Sequence, residues 1–574
     1  MLHKIYLAFL WHFHQPMYKN IINTQKGAYF MPWVRMHSIR DYFSMAYLLK
    51  KYPKIHLTYN FVPSLLWQIE DYVNNSATDR ELELSLKPVS KLSQGEKNYI
   101  LMHFFDGNYE TQIYPYPRYK ELLQKRQSKK TFTGQDLIDL KMWFNLSWFG
   151  EIFKQGEVTL PDSNILPVKD FIEKDSGFKE DDITQIIDLQ YKIMRNIIPI
   201  YKNLQEKGQI EVSTSPFYHP IIPLIYDTNQ ATIDKEGLTL PPRFSMPGDA
   251  KAQIDLAVEY YSKIFGQPPR GMWPSEGAVS QSTIHLFAQA NLNWIATDQG
   301  VLQKSGKYGY EAYKPDVLCS PYLAFDEEKN SEITIFFRET KLSNVISFDY
   351  QRYRDYKQAA MEFINWVKGF AHNEDRILTV ILDGENPWGY YRKTGVEFLN
   401  ALYKNLSKDK EIITVTFSEY ITGNSARGIL AHPKETQKKV YDLFCASWID
   451  QAGSMPGNDL GTWIGDKEKN NAWNLLRLVR EDLDKKGITP QNYPQVFESI
   501  YAAEGSDWFW WYGTDYSSDR DDQFDTLFKD HLKNAYLRLG LTSSLTQNSV
   551  NITSNLGNPS DSNSPQRRRG TEKT

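Results

Sequence analysis

Short apolar runs that stop at a polar residue recur along this chain and restrict its fold more than any other feature. Arg376-Ile-Leu-Thr-Val-Ile-Leu382 stops at Asp383-Gly-Glu-Asn386, with Pro387 behind it. Aliphatic and β-branched residues in a run too short for an ordinary helix, closed by Gly and Pro, read as a buried strand. Equivalent runs predict strands over 5–11, 54–60, 209–213, 270–273, 293–297, 333–337 and 412–417, and helical spacing between them predicts helices over 38–51, 250–265 and 280–290. The polar residues that follow these runs are His12 and His14, Asn60, His219, Glu276, Asp298, Arg338 and Asp383. Strands alternating with helices imply an α/β chain with parallel pairing, and in a (β/α) barrel the carboxyl ends of the strands converge on one face. A doubly wound open sheet is the main competitor, but no Gly-x-Gly-x-x-Gly follows the first strand and no phosphate-binding Walker loop occurs.

A length of 574 residues suggests one large domain and a second. Residues 65–208 interrupt the strand–helix rhythm with long, charged, helical sequence, read as a helical insertion in a catalytic domain over 1–421. From about Thr422 the pattern is largely helical, clearest over 467–485 and 524–539, giving a C-terminal helical domain over 422–540. Residues 541–574, rich in Ser, Asn, Thr, Gln, Gly and Pro, read as a disordered polar tail. A formal charge of -4 gives no electrostatic reason to expect nucleic acid or an acidic membrane as partner. The apolar N-terminal stretch runs directly into His12-Phe-His-Gln-Pro16 without a cleavage site, so it reads as a strand and not as a leader. Cys319 and Cys445 form no disulfide framework, which fits a reducing, cytoplasmic setting.

Two carboxylates facing each other across a pocket can cleave an acetal, one protonating the leaving oxygen while the other attacks or activates water. Glu276 lies in Gly271-Met-Trp-Pro-Ser-Glu-Gly277, and Asp383 lies in Leu382-Asp-Gly-Glu-Asn386. Each alone is equally a capping or turn residue; two at strand ends, each near Gly and Trp, favour catalysis. His12, His14, His219 and Asp298 together imitate a zinc site, but no Cys cluster or His-Glu-x-x-His accompanies them, so no metal or cofactor is expected. Trp508, Trp511 and Tyr512 are spaced to share one helix face, either as core or as the wall of a sugar subsite beside Glu504 and Asp507.

Five segments in order resemble the motifs of glycoside hydrolase family 57: His12-Phe-His-Gln-Pro16, Gly208–His219, Trp273-Pro-Ser-Glu276, Leu382-Asp-Gly-Glu-Asn386 and Ala503–Gly513. The resemblance implies an incomplete TIM-like (β/α)7 barrel with helical insertions and a C-terminal helical bundle against its active face. It implies a retaining enzyme acting on α-glucan oligo- or polysaccharides, of the α-amylase or amylopullulanase type, with Glu276 as nucleophile and Asp383 as acid/base. It makes His14 and His219 substrate contacts and brings Asp507 and Trp508 to the pocket. His12, Trp273, Asp298, Arg338, Glu385 and Trp388, beside these motifs, complete the candidate substrate-binding set. For Asp383 to hold a proton near neutral pH, burial or a neighbouring charge must raise its pKa, and Glu385 is a candidate source of that charge. The rival readings are a 4-α-glucanotransferase or branching enzyme on the same site, a metal-dependent polysaccharide deacetylase, and a non-catalytic glucan-binding protein.

Overall fold

A computed structural model of the 574-residue chain describes residues 4–20, 28–75, 77–156, 158–160, 167–232, 239–449 and 458–541. The tail expected over 541–574 therefore lies, from residue 542 on, outside the described residues. Ten strands form the main sheet: β1 (Ile5–Phe13), β2 (Leu57–Phe61), β3 (Ile210–Thr214), β4 (Gly271–Met272), β5 (Trp294–Asp298), β6 (Tyr322–Asp326), β7 (Ser331–Arg338), β8 (Ile377–Asp383), β9 (Ile412–Val415) and β10 (Lys438–Val440). The path runs β8-β1-β2-β3-β4-β5-β7-β6-β10, and β9 pairs with the first half of β1. All pairings are parallel except that of β6 with β7. The sheet curls, bringing β7 back beside β8: Glu339 N donates to Thr379 O at 2.8 Å, and Arg338 Nη1 donates to Ile381 O at 2.9 Å.

Alternation along β1 explains both its unbroken hydrophobicity and its chemistry. Leu7, Phe9 and Trp11 pack in the large outer core, while Tyr6, Ala8 and Leu10 join an inner cluster with Trp294, Ala296, Phe336 and Ile381. A strand buried on both faces needs apolar residues throughout. The same period of two aims His12 to the inner side, and register sets His12 level with Asn60 on β2 and Asp383 on β8. Asp298 on β5 and Arg338 on β7 are paired in the same way. Gly271 lets Trp294 cross the sheet interior, because a Cβ at that position would fall 1.9 Å from its ring.

The helix expected over 38–51 is observed as Trp33–His37, a π-turn over Ser38–Tyr42, and Phe43–Leu49. Among the described residues from Pro63 to Glu206 the regular structure is helical apart from a two-residue strand at Thr78–Asp79. Beyond Thr422 the expected helical pattern is corrected in part: β10 and extended chain precede the helices Lys467–Lys485, Pro494–Ala503, Ser506–Trp510 and Asp521–Leu537. Strands β6 and β10 were not anticipated either. No helix among the described residues is long and apolar enough to cross a membrane.

A buried ion pair fastens the helical region to the first helix after β1. Arg35 Nε and Nη2 donate to Asp79 at 2.7 and 2.9 Å, and Arg35 Nη1 donates to Gln190 at 2.6 Å. Asp79 also accepts from Tyr72 Oη and caps the helix Arg80–Leu86 through Leu82 N. Removing one partner strands the other's charge without water. Asp79→Ala is expected to lose about 3–5 kcal/mol of stability, read as a shift in the denaturant midpoint.

Candidate active site

Glu276 sits just after β4 at φ +56°, a left-handed conformation unusual for a residue with a side chain. Hydrogen bonds on each side hold that turn: Trp448 N donates to Glu276 O at 3.0 Å, and Thr297 Oγ1 donates to Gly277 O at 2.6 Å. Such strain costs of order 1–3 kcal/mol and persists only where the surroundings fix it. The carboxylate accepts the Trp448 indole N–H on Oε2 at 2.7 Å, and its Oε1 lies 3.8 Å from His219 Nδ1. Asp383 ends β8 and accepts from Asn386 Nδ2 at 2.7 Å.

The three histidines form a stack beside these carboxylates. His14 and His219 lie 3.9 Å apart between ring centroids with planes 23° apart, and His12 lies 5.1 Å from His219. Asn60 spends its amide N–H groups on Ser213 Oγ and Thr214 O, so its Oδ1 accepts from His12 Nδ1 at 2.6 Å. Burial, then repulsion from His14, lowers the His12 pKa to about 3, and burial pushes His219 well below the usual histidine range. Both are therefore neutral rings. His14 Nε2 reaches Asp507 at 2.8 Å, joining the C-terminal helices to the strand-end face, and Ser506 does the same through His219.

His14, His219 and Asp507 each offer a ligand atom within 4.8 Å of the others. Tetrahedral zinc requires lone pairs that converge. Two nearly parallel stacked rings aim their in-plane lone pairs side by side, so this set does not fit such an ion.

Arg338 donates to Asp298 at 2.6 Å, and its guanidinium lies 4.8 Å from the centre of the Trp448 ring. Asp298 also receives Asn458, Thr340 and the N–H of Gly300, so it orients Arg338 and caps a helix. Trp273 is fully buried and packs edge-on to Trp448, and among the described residues its indole N–H has no hydrogen-bond partner. Three expected substrate contacts point elsewhere. Trp388 and Trp508, each 1 % exposed, donate their indole N–H groups to Gly384 O and Ala502 O and belong to the core. Glu385 turns away into a buried network, where its Oε1 accepts from His14 N, Gln15 and Tyr42. Trp448, Asn386, Ser506 and Asn458 were missed; Trp448 lies in irregular chain with no periodicity to single it out.

The charge of Asp383 raises Glu276, whereas Glu276 is not among the causes that raise Asp383. Burial, then the charge of Asp383, pushes Glu276 to about 8, against the Trp448 hydrogen bond. Burial also raises Asp383, opposed by Asn386, His14 and Arg338, and Glu385 is not among the causes. Burial and the Asp383 charge thus favour a protonated Glu276 at neutral pH, and burial favours the protonated form of Asp383 as well. A carboxyl whose folded pKa is raised favours the folded state below its unfolded value and loses that contribution as pH rises toward the folded value. Glu276→Gln is therefore expected to melt above the wild type at pH 9, and the gap is expected to close below about pH 4.5. Calorimetry across that range checks it.

Two half-buried carboxyls at the strand ends of a curled parallel sheet, one raised by the charge of the other and both walled by indole and imidazole rings, define a site of the glycosidase class. The family model for glycosyl hydrolase family 57 matches residues 8–433, and the chain belongs to that family. An α-amylase of Pyrococcus abyssi is 23% identical over 289 residues, covering 49% of this chain and 37% of that protein. Alpha-amylase 1 of Dictyoglomus thermophilum is 24% identical over 193 residues, covering 34% of this chain and 23% of the relative. The matches thus span little more than a third of these relatives' length at most. The α-amylase AmyC of Thermotoga maritima superposes with a TM-score of 0.54 at 14% identity, covering 94% of each chain. A branching enzyme of the same family from Pyrococcus horikoshii gives 0.53 at 16% identity, covering 94% of this chain and 92% of its own. At these identities the likeness is one of fold.

Proposed function

We propose that this chain is a retaining α-glucan hydrolase of the α-amylase or amylopullulanase type, with Glu276 as nucleophile and Asp383 as acid/base. The observation that carries the reading is the placement of these two carboxyls at the strand ends of the curled sheet, close enough that the charge of Asp383 raises Glu276. Retaining glycoside hydrolysis needs one of two facing carboxyls protonated and the other ionised. Burial and the charge of Asp383 favour the protonated form of Glu276. Positive charge growing at the anomeric carbon favours the ionised form of Glu276, while the leaving oxygen takes the proton of Asp383. The ester then forms, Asp383 accepts a proton from water, and the hydroxide equivalent displaces Glu276 with net retention.

His14 and His219 are the proposed hydroxyl contacts, with Asp507 orienting His14. The strands β8, β1, β2, β3, β4, β5 and β7 make the proposed (β/α)7 barrel, within a catalytic domain over 1–421 that includes the helical insertion 65–208. Residues 422–540 form the proposed second domain closing the cleft. The proposed setting is cytoplasmic, with the α-glucan as partner and neither nucleic acid nor membrane.

The test is product analysis. Maltooligosaccharides incubated with the protein are expected to release new reducing ends whose first-formed anomer, by NMR, is α. β-Anomers would refute retention. Chain-length redistribution without new reducing ends would move the reading to glucanotransfer or branching, the activity named for one structural neighbour.

A further inference from the structure

We propose that Trp448 decides which oxygen of Glu276 attacks: its indole N–H holds Oε2, so Oε1 bonds to the anomeric carbon and Oε2 becomes the carbonyl oxygen of the glycosyl ester. The proposal rests on the reading of Glu276 as nucleophile. Trp448 grips this residue twice, through Nε1 to Oε2 at 2.7 Å and through its backbone N to Glu276 O at 3.0 Å. Among the described residues no donor reaches Oε1, and His219 Nδ1 stands 3.8 Å from it, beyond hydrogen-bond reach.

The indole has little freedom to turn away. Its ring packs against Trp273 at 5.1 Å and 63°, and against His12 at 6.5 Å and 86°. The Arg338 guanidinium covers it at 4.8 Å and is itself fixed by Asp298 and Ile381 O. Asn458 donates to Asp298 at 3.0 Å and to Ser447 O at 2.7 Å, tying the residue before Trp448 to the same ion pair. A donor aimed at one carboxylate oxygen draws negative charge there and leaves the other oxygen with its lone pairs uncommitted.

The electron balance follows. An Oε1 lone pair forms the bond to the anomeric carbon as the bond from that carbon to the leaving oxygen breaks, and Asp383 gives its proton to that oxygen. Glu276 becomes a neutral ester whose carbonyl Oε2 keeps the Trp448 hydrogen bond. In the second step water attacks the same carbon and gives a proton to Asp383. The pair shared with Oε1 then returns to the carboxylate, whose charge Trp448 again stabilises. Trp448 is a positioning residue here, since it touches the oxygen that does not react.

Two measurements test this. The wild-type protein is trapped with a 5-fluoro maltosyl fluoride and its crystal structure determined. The sugar is expected on the oxygen facing away from Trp448, with the indole nitrogen within hydrogen-bond distance of the other; a sugar on the oxygen facing Trp448 overturns the proposal. In solution, Trp448→Phe keeps a ring and loses the donor. Its kcat/KM on an aryl maltoside is expected to fall about 10- to 100-fold, the worth of a hydrogen bond to a charged group. The acid limb of the pH–rate profile is expected to move up, because the variant loses the Trp448 hydrogen bond that lowers Glu276, while Asp383 and Asp507 still raise it and the neutral His219 does not oppose them. An unchanged kcat/KM, or a fall with the acid limb unmoved, overturns the proposal. Glu276→Gln separates the two levels: activity retained there removes the nucleophile itself, whereas an inactive Glu276→Gln beside an unaffected Trp448→Phe removes only the role of Trp448.

Discussion

Glu276→Gln is expected to lower kcat on maltooligosaccharides by at least about 10^4-fold, the scale seen when a covalent nucleophile is removed. The amide keeps the shape of the side chain and can still accept from Trp448, so the turn at φ +56° is retained. What disappears is the charge that, in the proposed mechanism, stabilises the developing cation and forms the ester. The variant also lacks the buried charge that raises the energy of the wild type at alkaline pH, so loss of activity is expected together with a higher melting temperature at pH 9. Initial rates and calorimetry on one preparation read both. A rate within tenfold of wild type would remove Glu276 from the reaction.

Asp383→Asn is expected to lower kcat on natural glucans by about 10^2- to 10^4-fold, the usual contribution of general acid–base catalysis. The size of the loss should depend on the leaving group. A phenol bearing nitro groups departs without a proton, so the first step is spared, the second lacks its base, and a burst of phenol is expected before a slow steady state. Azide, which attacks without a base, is expected to restore turnover and yield an α-glycosyl azide. Removal of the Asp383 charge also deletes the second-largest cause of the raised pKa of Glu276, so the acid limb is expected to move down in pH. A loss equal for all leaving groups would assign the proton to another residue. Glu385 is poorly placed for it, because its carboxyl is 2 % exposed and one oxygen faces the backbone of His14.

The strands that build the site were legible because they are buried on both faces. β1 and β8 are nearly uninterrupted apolar runs, and their ends fall within two residues of the expected ones. The three-residue β10 escaped because Lys438 and Lys439 are exposed and leave it no apolar run, whereas β6 is a short buried run that no strand-end polar motif singled out. The spacing of Trp508, Trp511 and Tyr512 suggested one helix face, but the helix there ends at Trp510, and Trp508 packs against His531 and Phe524. A tryptophan beside a motif carries no sign of whether its ring lines a cleft or fills the space under it; that is decided by what lies opposite.

The sequence by itself determined the alternation of strands and helices, the carboxylates at the strand ends and the motifs of the family. These are local: they follow from the period of two along a strand, from turn chemistry and from short stretches of chain. Tertiary structure alone decided that burial and not Glu385 raises Asp383, that the histidines stack too nearly parallel to hold zinc, and that Trp448 reaches Glu276 across 172 residues of chain. Desolvation, ring orientation and long-range hydrogen bonds depend on which surfaces meet, and no local pattern encodes that meeting.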